Sequence, residues 1–280
     1  MNKIIITGSN GFIGKHVSKY LKKKKYKVIE LSSSNKNKKS LKWSLGQKFP
    51  IKNLNNTFLL HFAFDIKSLK KNENITKNKN YISSIMLAKN IEKSQNSKFF
   101  YISSQTASNN AQSLYGKIKY LIEKKVLKNN KTRIIVPGFV YHKRDSKVVR
   151  VIKKILKFPI FPIFISKKNI YPIHINDFCI IVEKILADNN FKKYNVGTKK
   201  ALSLEEFISF ICKDNKIPKP IFIYLPFFIV TFFAILSDKL KILNLSIFER
   251  INSLIQLKNI DTSETINNLK LNIKFNFKIN

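Results

Sequence analysis

A chain of 280 residues, 44% hydrophobic and 12% aromatic, can bury a sizeable core and is too apolar to be disordered; it fits one enzyme-sized unit with a smaller lobe. Its formal net charge of +37 invites a polyanion partner, yet only four of the 53 basic residues are arginine (Arg133, Arg144, Arg150, Arg250). The scattered lysines accompany an excess of Asn, Ile and Phe, and the bidentate guanidinium that favours phosphate and base readout is scarce, so no nucleic-acid partner is expected. A basic surface still suits anionic substrates or an anionic membrane face.

Taken in chain order, hydrophobic periodicity predicts strand 3–7, helix 12–24, strand 26–31, strand 58–63, helix 79–94, strand 98–103, helix 114–128 and strand 132–137. Such alternation implies an α/β fold with a parallel sheet. No charged-then-apolar leader precedes the first strand, so the expected location is cytoplasmic. That strand, Ile4-Ile5-Ile6-Thr7, runs into Gly8-Ser9-Asn10-Gly11-Phe12-Ile13-Gly14 and then into a helix. Gly8 suits a tight turn, Gly11 lets backbone N–H groups approach a pyrophosphate, and Gly14 lets the helix pack close on the strand. This placement between strand and helix makes the pattern a dinucleotide-site signature.

The second strand ends at Ser32, where an acidic residue would bind the 2′-hydroxyl of NAD. Ser32, Ser33 and Ser34, with Lys36, Lys38 and Lys39 close behind, offer a 2′-phosphate hydroxyl donors and positive charge, which favours NADP over NAD. Strand 98–103 leads into Ser103-Ser104 at the carboxyl edge of the sheet. Tyr115 and Lys119 follow one helical turn apart, on one face. A nearby ammonium favours phenolate, so Tyr115 can exchange protons near neutral pH while Ser104 holds a substrate oxygen. Ser104, Tyr115 and Lys119 are therefore the candidate catalytic set.

Beyond Pro137-Gly138 the alternation fades into a Pro-interrupted segment at 158–166, strand 169–173, helix 176–188, strand 193–197 and helix 203–214. Ile221 to Leu236 is an unbroken apolar or near-apolar run of sixteen residues, short of the roughly 20 needed to cross a bilayer. It reads as a buried helix of a C-terminal lobe, with a membrane-associated hairpin or surface helix as the alternative. Amphipathic pieces at 245–257 and 262–269 complete the chain. Cys179 and Cys212 lie in apolar helical patterns with no histidine at metal-ligand spacing; they read as reduced core residues, and no metal is expected. His16 is expected to face out from the first helix or to cap its turn, and His142 to lie in a basic loop. For His61 and His174, at strand ends, structural hydrogen bonding is expected rather than proton transfer.

On these residues the chain resembles the extended short-chain dehydrogenases, the NAD-dependent epimerase/dehydratase family of nucleotide-sugar enzymes. The resemblance extends to His61-Phe62-Ala63, Asn80, Val136-Pro137-Gly138, Tyr171 to Asp177 and Tyr194-Asn195-Val196-Gly197. It implies a Rossmann-type doubly wound parallel sheet over residues 1–140, to which 169–190 return, and a substrate lobe from 141–168 and 191–280. It also implies Tyr115 as acid/base, Lys119 on the nicotinamide ribose and Ser104 orienting the reacting oxygen. Gly8, Asn10, Gly11, Phe12, Ile13, Gly14, Ser32, Ala63 and Pro137 would line the cofactor with Tyr115 and Lys119. The departures are a short connection between Ser104 and Tyr115 with Ser108-Asn109 in place of Tyr-Gly, Val136 in place of arginine, and Ser104-Gln105-Thr106 in place of a Thr-Asp-Glu set. The last disfavours dehydration. For a nucleotide diphosphate the lobe offers Arg250 and nearby lysines. The expected function is hydride transfer at a carbon of a nucleotide-linked or lipid-linked sugar in surface polysaccharide synthesis, by a protein expected to be a homodimer. A cofactor-binding structural subunit of a membrane complex is the alternative.

Overall fold

The computed structural model describes residues 2–34, 40–69, 74–111, 113–142, 147–156, 158–164, 167–239 and 257–271. Strands β1 (Lys3–Thr7), β2 (Val28–Ser32), β3 (Leu41–Lys42), β4 (Thr57–His61), β5 (Lys98–Ile102), β6 (Thr132–Pro137) and β10 (Lys193–Val196) form one sheet in the order β10-β6-β5-β4-β1-β2-β3. Every pairing in it is parallel. All the strands therefore end at one edge, the edge at which open α/β sheets bind ligands.

The central strands carry apolar side chains on both faces, as buried parallel strands do. Ile4 and Ile6 pack on one face with Val17 and Leu21 of α1 (Phe12–Lys23) and with Phe178, Val182 and Ile185 of α5 (Ile175–Ala187). Ile5 points to the other face, toward Leu87 and Ile91 of α2 (Lys79–Glu92) and Ile118 and Ile122 of α3 (Leu114–Val126). Each such fully buried aliphatic side chain contributes roughly 1.5–3 kcal/mol relative to exposure. In α1 the buried residues Gly14, Val17, Ser18 and Leu21 fall at helical spacing, so one face of this lysine-rich helix meets the sheet.

A third core lies beyond the sheet. It joins Val149 and Ile152 of α4 (Lys147–Ile155), Phe161 and Ile163 of β8 (Ile160–Ile163), and Phe207, Ile208 and Ile211 of α6 (Leu204–Asn215). The start of α6 is fixed by a capping box: Ser203 accepts from the Glu206 amide while Glu206 accepts from the Ser203 amide. β7 (Phe139–Tyr141) pairs with β9 (Pro172–His174), and β8 pairs with β11 (Ile221–Tyr224), each in a separate two-stranded parallel sheet. Helices α7 (Phe227–Lys239) and α8 (Ser263–Asn268) follow, the latter within the 262–269 piece. The described part of the lobe thus holds short elements, α4, β7 and β8, that periodicity does not reveal.

Two expectations change. Strand 193–197 does not belong to the lobe, because β10 adds to the main sheet beside β6, with Tyr194 buried in the core of the α1 and α5 face. Nor is the apolar run 221–236 a buried helix. It splits at Pro226 into β11 and α7, and Phe228, Phe232 and Phe233 are 70%, 63% and 58% exposed. Proline's missing N–H and fixed φ suit it just ahead of a helix, which is where the chain turns from strand to α7. Cys179 and Cys212 are free and buried. The amphipathic piece at 245–257 and Arg250 lie outside the described residues, apart from Leu257.

Candidate active site

The glycine turn is shaped by close approach. Gly8 has a φ of +71°, in the region that favours glycine, and a Cβ there would stand 2.7 Å from the Ala63 nitrogen. A Cβ on Gly14 would stand 2.4 Å from the Gly8 carbonyl oxygen. The end of β4 and the first turn of α1 are thereby drawn against one loop. Gly11 is the N-cap of α1, with no side-chain cap and no acidic residue in the first turn. A helix of twelve residues that starts this way presents a positive N-terminus suited to an anion. A pyrophosphate fits such a cradle, because any Cβ at Gly8 or Gly14 would close the turn.

Asn10 bridges this turn to the end of β2. Its Nδ2 donates to Ser32 Oγ at 2.8 Å and to Ser34 Oγ at 3.0 Å. Ser32 is buried, and its own hydroxyl donates to the Ser34 carbonyl at 2.7 Å. Its donor is thus engaged within the loop, and a 2′-phosphate would have to compete for it. Lys36, Lys38 and Lys39, the other expected phosphate partners, lie outside the described residues.

Along the carboxyl edge, β5 delivers Ser104, whose hydroxyl is 3.0 Å from Thr106 Oγ1. α3 begins at an N-cap formed by Ser113, which accepts from the Gly116 amide at 3.2 Å. A Cβ on Gly116 would lie 2.6 Å from the Thr106 carbonyl oxygen. This contact presses the first turn of α3 onto the short connection from Ser104 and brings the Tyr115 hydroxyl near that of Ser104. Burial raises the Tyr115 pKa above the ordinary tyrosine value, and the Ser104 hydrogen bond opposes that rise. Lys119, one turn on, is buried with Nζ 5.8 Å from the Tyr115 ring centre. Its ammonium donates to the Ile102 carbonyl at 2.6 Å and lies over the rings of Phe64 and Tyr101, at 4.6 and 4.7 Å from their centres. Burial pushes its pKa down to about 7, against the supporting charge of Glu123.

Phe64 and Gln105 are absent from the sequence-based set. Phe64 meets Tyr115 edge to face with ring centres 4.9 Å apart, so it walls the phenol as well as the ammonium. Its signal was present, one position after Ala63, but nothing in the spacing separates such a wall from an ordinary core aromatic. Gln105 Nε2 donates to the carbonyls of Asn169 and Lys258, at 2.5 Å each. A glutamine beside a serine carries no sequence mark of a partner 153 positions away.

His61 accepts from Thr7 Oγ1 through Nδ1 at 2.6 Å and reaches Ser84 Oγ through Nε2 at 3.0 Å. Ser84 in turn donates to the Asn80 carbonyl at 2.8 Å. That direction leaves Ser84 as acceptor, which assigns the His61 proton to Nε2. Burial, aided by the Lys119 charge, lowers its pKa to about 3, so the ring stays neutral and structural. Asn80 holds the loop after β4: its Oδ1 accepts from the Asp65 amide at 2.7 Å and its Nδ2 donates to the Asp65 carbonyl at 3.1 Å. His174 caps α5 by accepting from the Asn176 amide at 3.3 Å. His16 does not simply face out: its ring centre is 5.3 Å from that of His142, which is 5.6 Å from His174. No group of three or more His, Cys, Asp or Glu among the described residues has metal-binding geometry. Pro137, at the end of β6, is buried at the same sheet edge as Ala63 and Ser104. One edge thus brings together Gly8 to Gly14, Ser32, Ala63, Pro137 and the Ser104, Tyr115, Lys119 set. This arrangement offers an anion cradle at one end and a hydroxyl, a phenol and a buried ammonium close together at the other.

Residues 4–132 match the family model for the NAD dependent epimerase/dehydratase family. No curated protein matches the chain. Among solved structures, the chain is similar to a UDP-N-acetylglucosamine 4-epimerase from Bacillus cereus, with 17% identity, a TM-score of 0.61, and coverage of 81% of this chain and 86% of that one. A dTDP-4-dehydrorhamnose reductase from Bacillus anthracis in complex with NADP matches at 19% identity and a TM-score of 0.58, covering 80% and 85%. MoeE5 in complex with UDP-glucose and NAD matches at 16% identity and a TM-score of 0.61, covering 80% and 85%. At these identities the shared property is the fold.

Proposed function

We propose, from the match of residues 4–132 to the NAD dependent epimerase/dehydratase family model, that the chain is an NAD(P)-dependent epimerase or ketoreductase acting on a carbon of a nucleotide-linked or lipid-linked sugar. The observation that carries this reading is the buried Lys119 ammonium, 5.8 Å from the Tyr115 ring centre, one helical turn along α3 at the sheet edge that also delivers Ser104. Three of the similar folds belong to proteins described with nucleotide sugars, either as substrate names or as the bound UDP-glucose. Surface polysaccharide synthesis is the setting that a sugar-modifying role suits.

Bound in the cradle, a nicotinamide dinucleotide supplies the hydride acceptor or donor. The amides of Phe12 and Ile13 would hold its pyrophosphate over Gly11, whose own amide closes the turn onto the Gly8 carbonyl; Asn10 and Ser32 would meet its adenosine end, and Ala63 and Pro137 would flank its path along the sheet edge. Lys119 would hold the nicotinamide ribose. Tyr115 exchanges a proton at its phenolic oxygen with the substrate oxygen. Ser104 keeps that oxygen in line by hydrogen bonding and opposes the burial that disfavours phenolate, with the Lys119 ammonium one helical turn away. Phe64 excludes water from the phenol and ammonium. Dehydration is not part of the proposal, because Gln105 and Thr106 stand where it would need acidic groups.

Replacing Tyr115 by Phe should reduce turnover by roughly 10²–10⁴-fold, the usual share of positioned acid–base catalysis, while cofactor affinity stays near that of the parent. Undiminished turnover would refute the assignment. NADP is the preferred cofactor in this reading, on the hydroxyls of Ser32 and Ser34 and the following lysines. Fluorescence titration with NADPH and NADH tests it, and a clear preference for NADH would reverse it.

A further inference from the structure

α7 packs on the third core through Val230. On its other side Phe228, Phe232, Ile235 and Leu236, at helical spacing i, i+4, i+7 and i+8, are 70%, 63%, 39% and 40% exposed, and Phe233, one turn beyond Val230, is 58% exposed as well. Scattered exposed apolar residues are ordinary, but a stripe of them along one helix face is not. Nine of the fifteen large hydrophobic side chains exposed among the described residues fall within 221–236, so the feature is local. The adjoining sheet extends it. The β8 and β11 register sets Ile160 beside Ile221 and Pro162 beside Ile223. All four are exposed, whereas Phe161 and Ile163 turn inward. Phe164 and Phe227 join this sheet to α7, ring centre to ring centre at 5.5 Å.

The charge beside this surface is also local. Residues 147–168, which include α4 and β8, hold seven basic residues and no acidic one; of these Lys168 is paired with Glu206, and Tyr224 of β11 donates to Glu205. Arg150 and Lys154 on α4 are exposed. Lys239, exposed, ends α7 on the side of its apolar stripe. No helix among the described residues is long and apolar enough to cross a membrane. A thirteen-residue helix with this face lies in an interface plane instead, with aromatic and aliphatic side chains at the headgroup boundary and cations toward anionic lipid. A second copy of the chain fits less well. Two lobes with the same basic segment, on chains each of net charge +37, would be brought together against like-charge repulsion, which an anionic bilayer instead relieves.

We propose that α7 and the outward face of β8 and β11 dock this protein on an anionic membrane surface. The inference is independent of the substrate reading. The test is co-sedimentation of the full chain with phosphatidylcholine vesicles made with and without phosphatidylglycerol, at low and high salt. Binding should be roughly tenfold stronger to the anionic vesicles and should weaken as salt rises. Phe228→Ser combined with Phe232→Ser should lower it by about tenfold, with NADPH binding retained as the check of folding. Leu236→Asp provides a second variant should the double substitution fail to fold. Failure of the parent protein to bind anionic vesicles would overturn the proposal. So would undiminished binding by either folded variant. Conversion of a dimer to a monomer by these substitutions, without any vesicle binding by the parent, would assign the surface to self-association instead.

Discussion

His61 illustrates how a fold can fix the protonation of a side chain that would otherwise titrate near neutrality. Thr7 and Ser84 occupy both ring nitrogens, and the ring is 1% exposed. Its pKa falls from the ordinary 6.5 to about 3, chiefly through burial. The folded state therefore binds fewer protons than the unfolded state between these values, and stability falls as the pH drops. This contribution is fully present above the unfolded value of 6.5 and is lost progressively toward pH 3. Chemical denaturation across that range should show the decline, and His61→Gln, which cannot charge, should flatten it. Identical slopes for both proteins would exclude His61 as the source. Its neighbour in charge, Lys119, is read in the opposite functional sense. There the same burial leaves an ammonium poised near 7 beside a phenol, and perturbation of this kind suits proton exchange.

Among the elements, α3 decides the geometry of the proposed catalytic set. Its N-cap Ser113 and the close packing of Gly116 on Thr106 and Ala111 set the helix against the turn that follows β5. This position sets Tyr115 and Lys119 at the sheet edge beside Ser104. A Cβ at Gly116 meets a backbone carbonyl at 2.6 Å, which cannot move aside as a flexible side chain could. Gly116→Ala should thus displace the first turn of α3, lowering stability by about 1–3 kcal/mol and turnover by at least tenfold, the latter because misplacement by about an ångström is costly in catalysis. Thermal denaturation and steady-state kinetics check both; a variant with parental turnover would show that the turn adapts. By contrast, α1 was legible from its own residues. Gly8, Gly11 and Gly14 stand between an apolar strand and an amphipathic helix; Gly11 and Gly14 are explained by local contact with the Gly8 carbonyl, while the close approach at Gly8 comes from Ala63 of the distant β4 end.

For the whole molecule, the coupling between sheet and lobe runs through Gln105. Its Nε2 ties the turn beside Ser104 to the carbonyls of Asn169 and Lys258. Gln105→Ala should therefore loosen the lobe against the sheet, raising KM for the proposed sugar substrate by roughly tenfold while the cofactor dissociation constant remains near its parental value. Equal losses of cofactor and substrate affinity would argue that the contact supports the fold generally. Asn195 contributes a second tie, its Nδ2 donating to the Asp261 carbonyl at 2.9 Å. The last sheet strand is thus linked to the chain that leads into α8. Such ties are long in sequence, and their partners are backbone carbonyls, which every residue possesses.

The parallel α/β sheet, the glycine turn and the order of Ser104, Tyr115 and Lys119 can be read from neighbouring residues. These depend on strand and helix periodicity and on spacings of three and four residues, which are local. Such spacings do not determine that strand 193–197 completes the main sheet, that Phe64 walls Tyr115 and Lys119, or that Gln105 joins the lobe. Those facts depend on which distant segment arrives beside each residue. The run from Ile221 to Leu236 shows the division most clearly. Hydropathy alone made it a buried helix, because apolar residues gain by leaving water; only the tertiary structure decided how much apolar surface the lobe could cover. Its core accepts Phe222 and Val230 and leaves the face of Phe228, Phe232 and Leu236 outward.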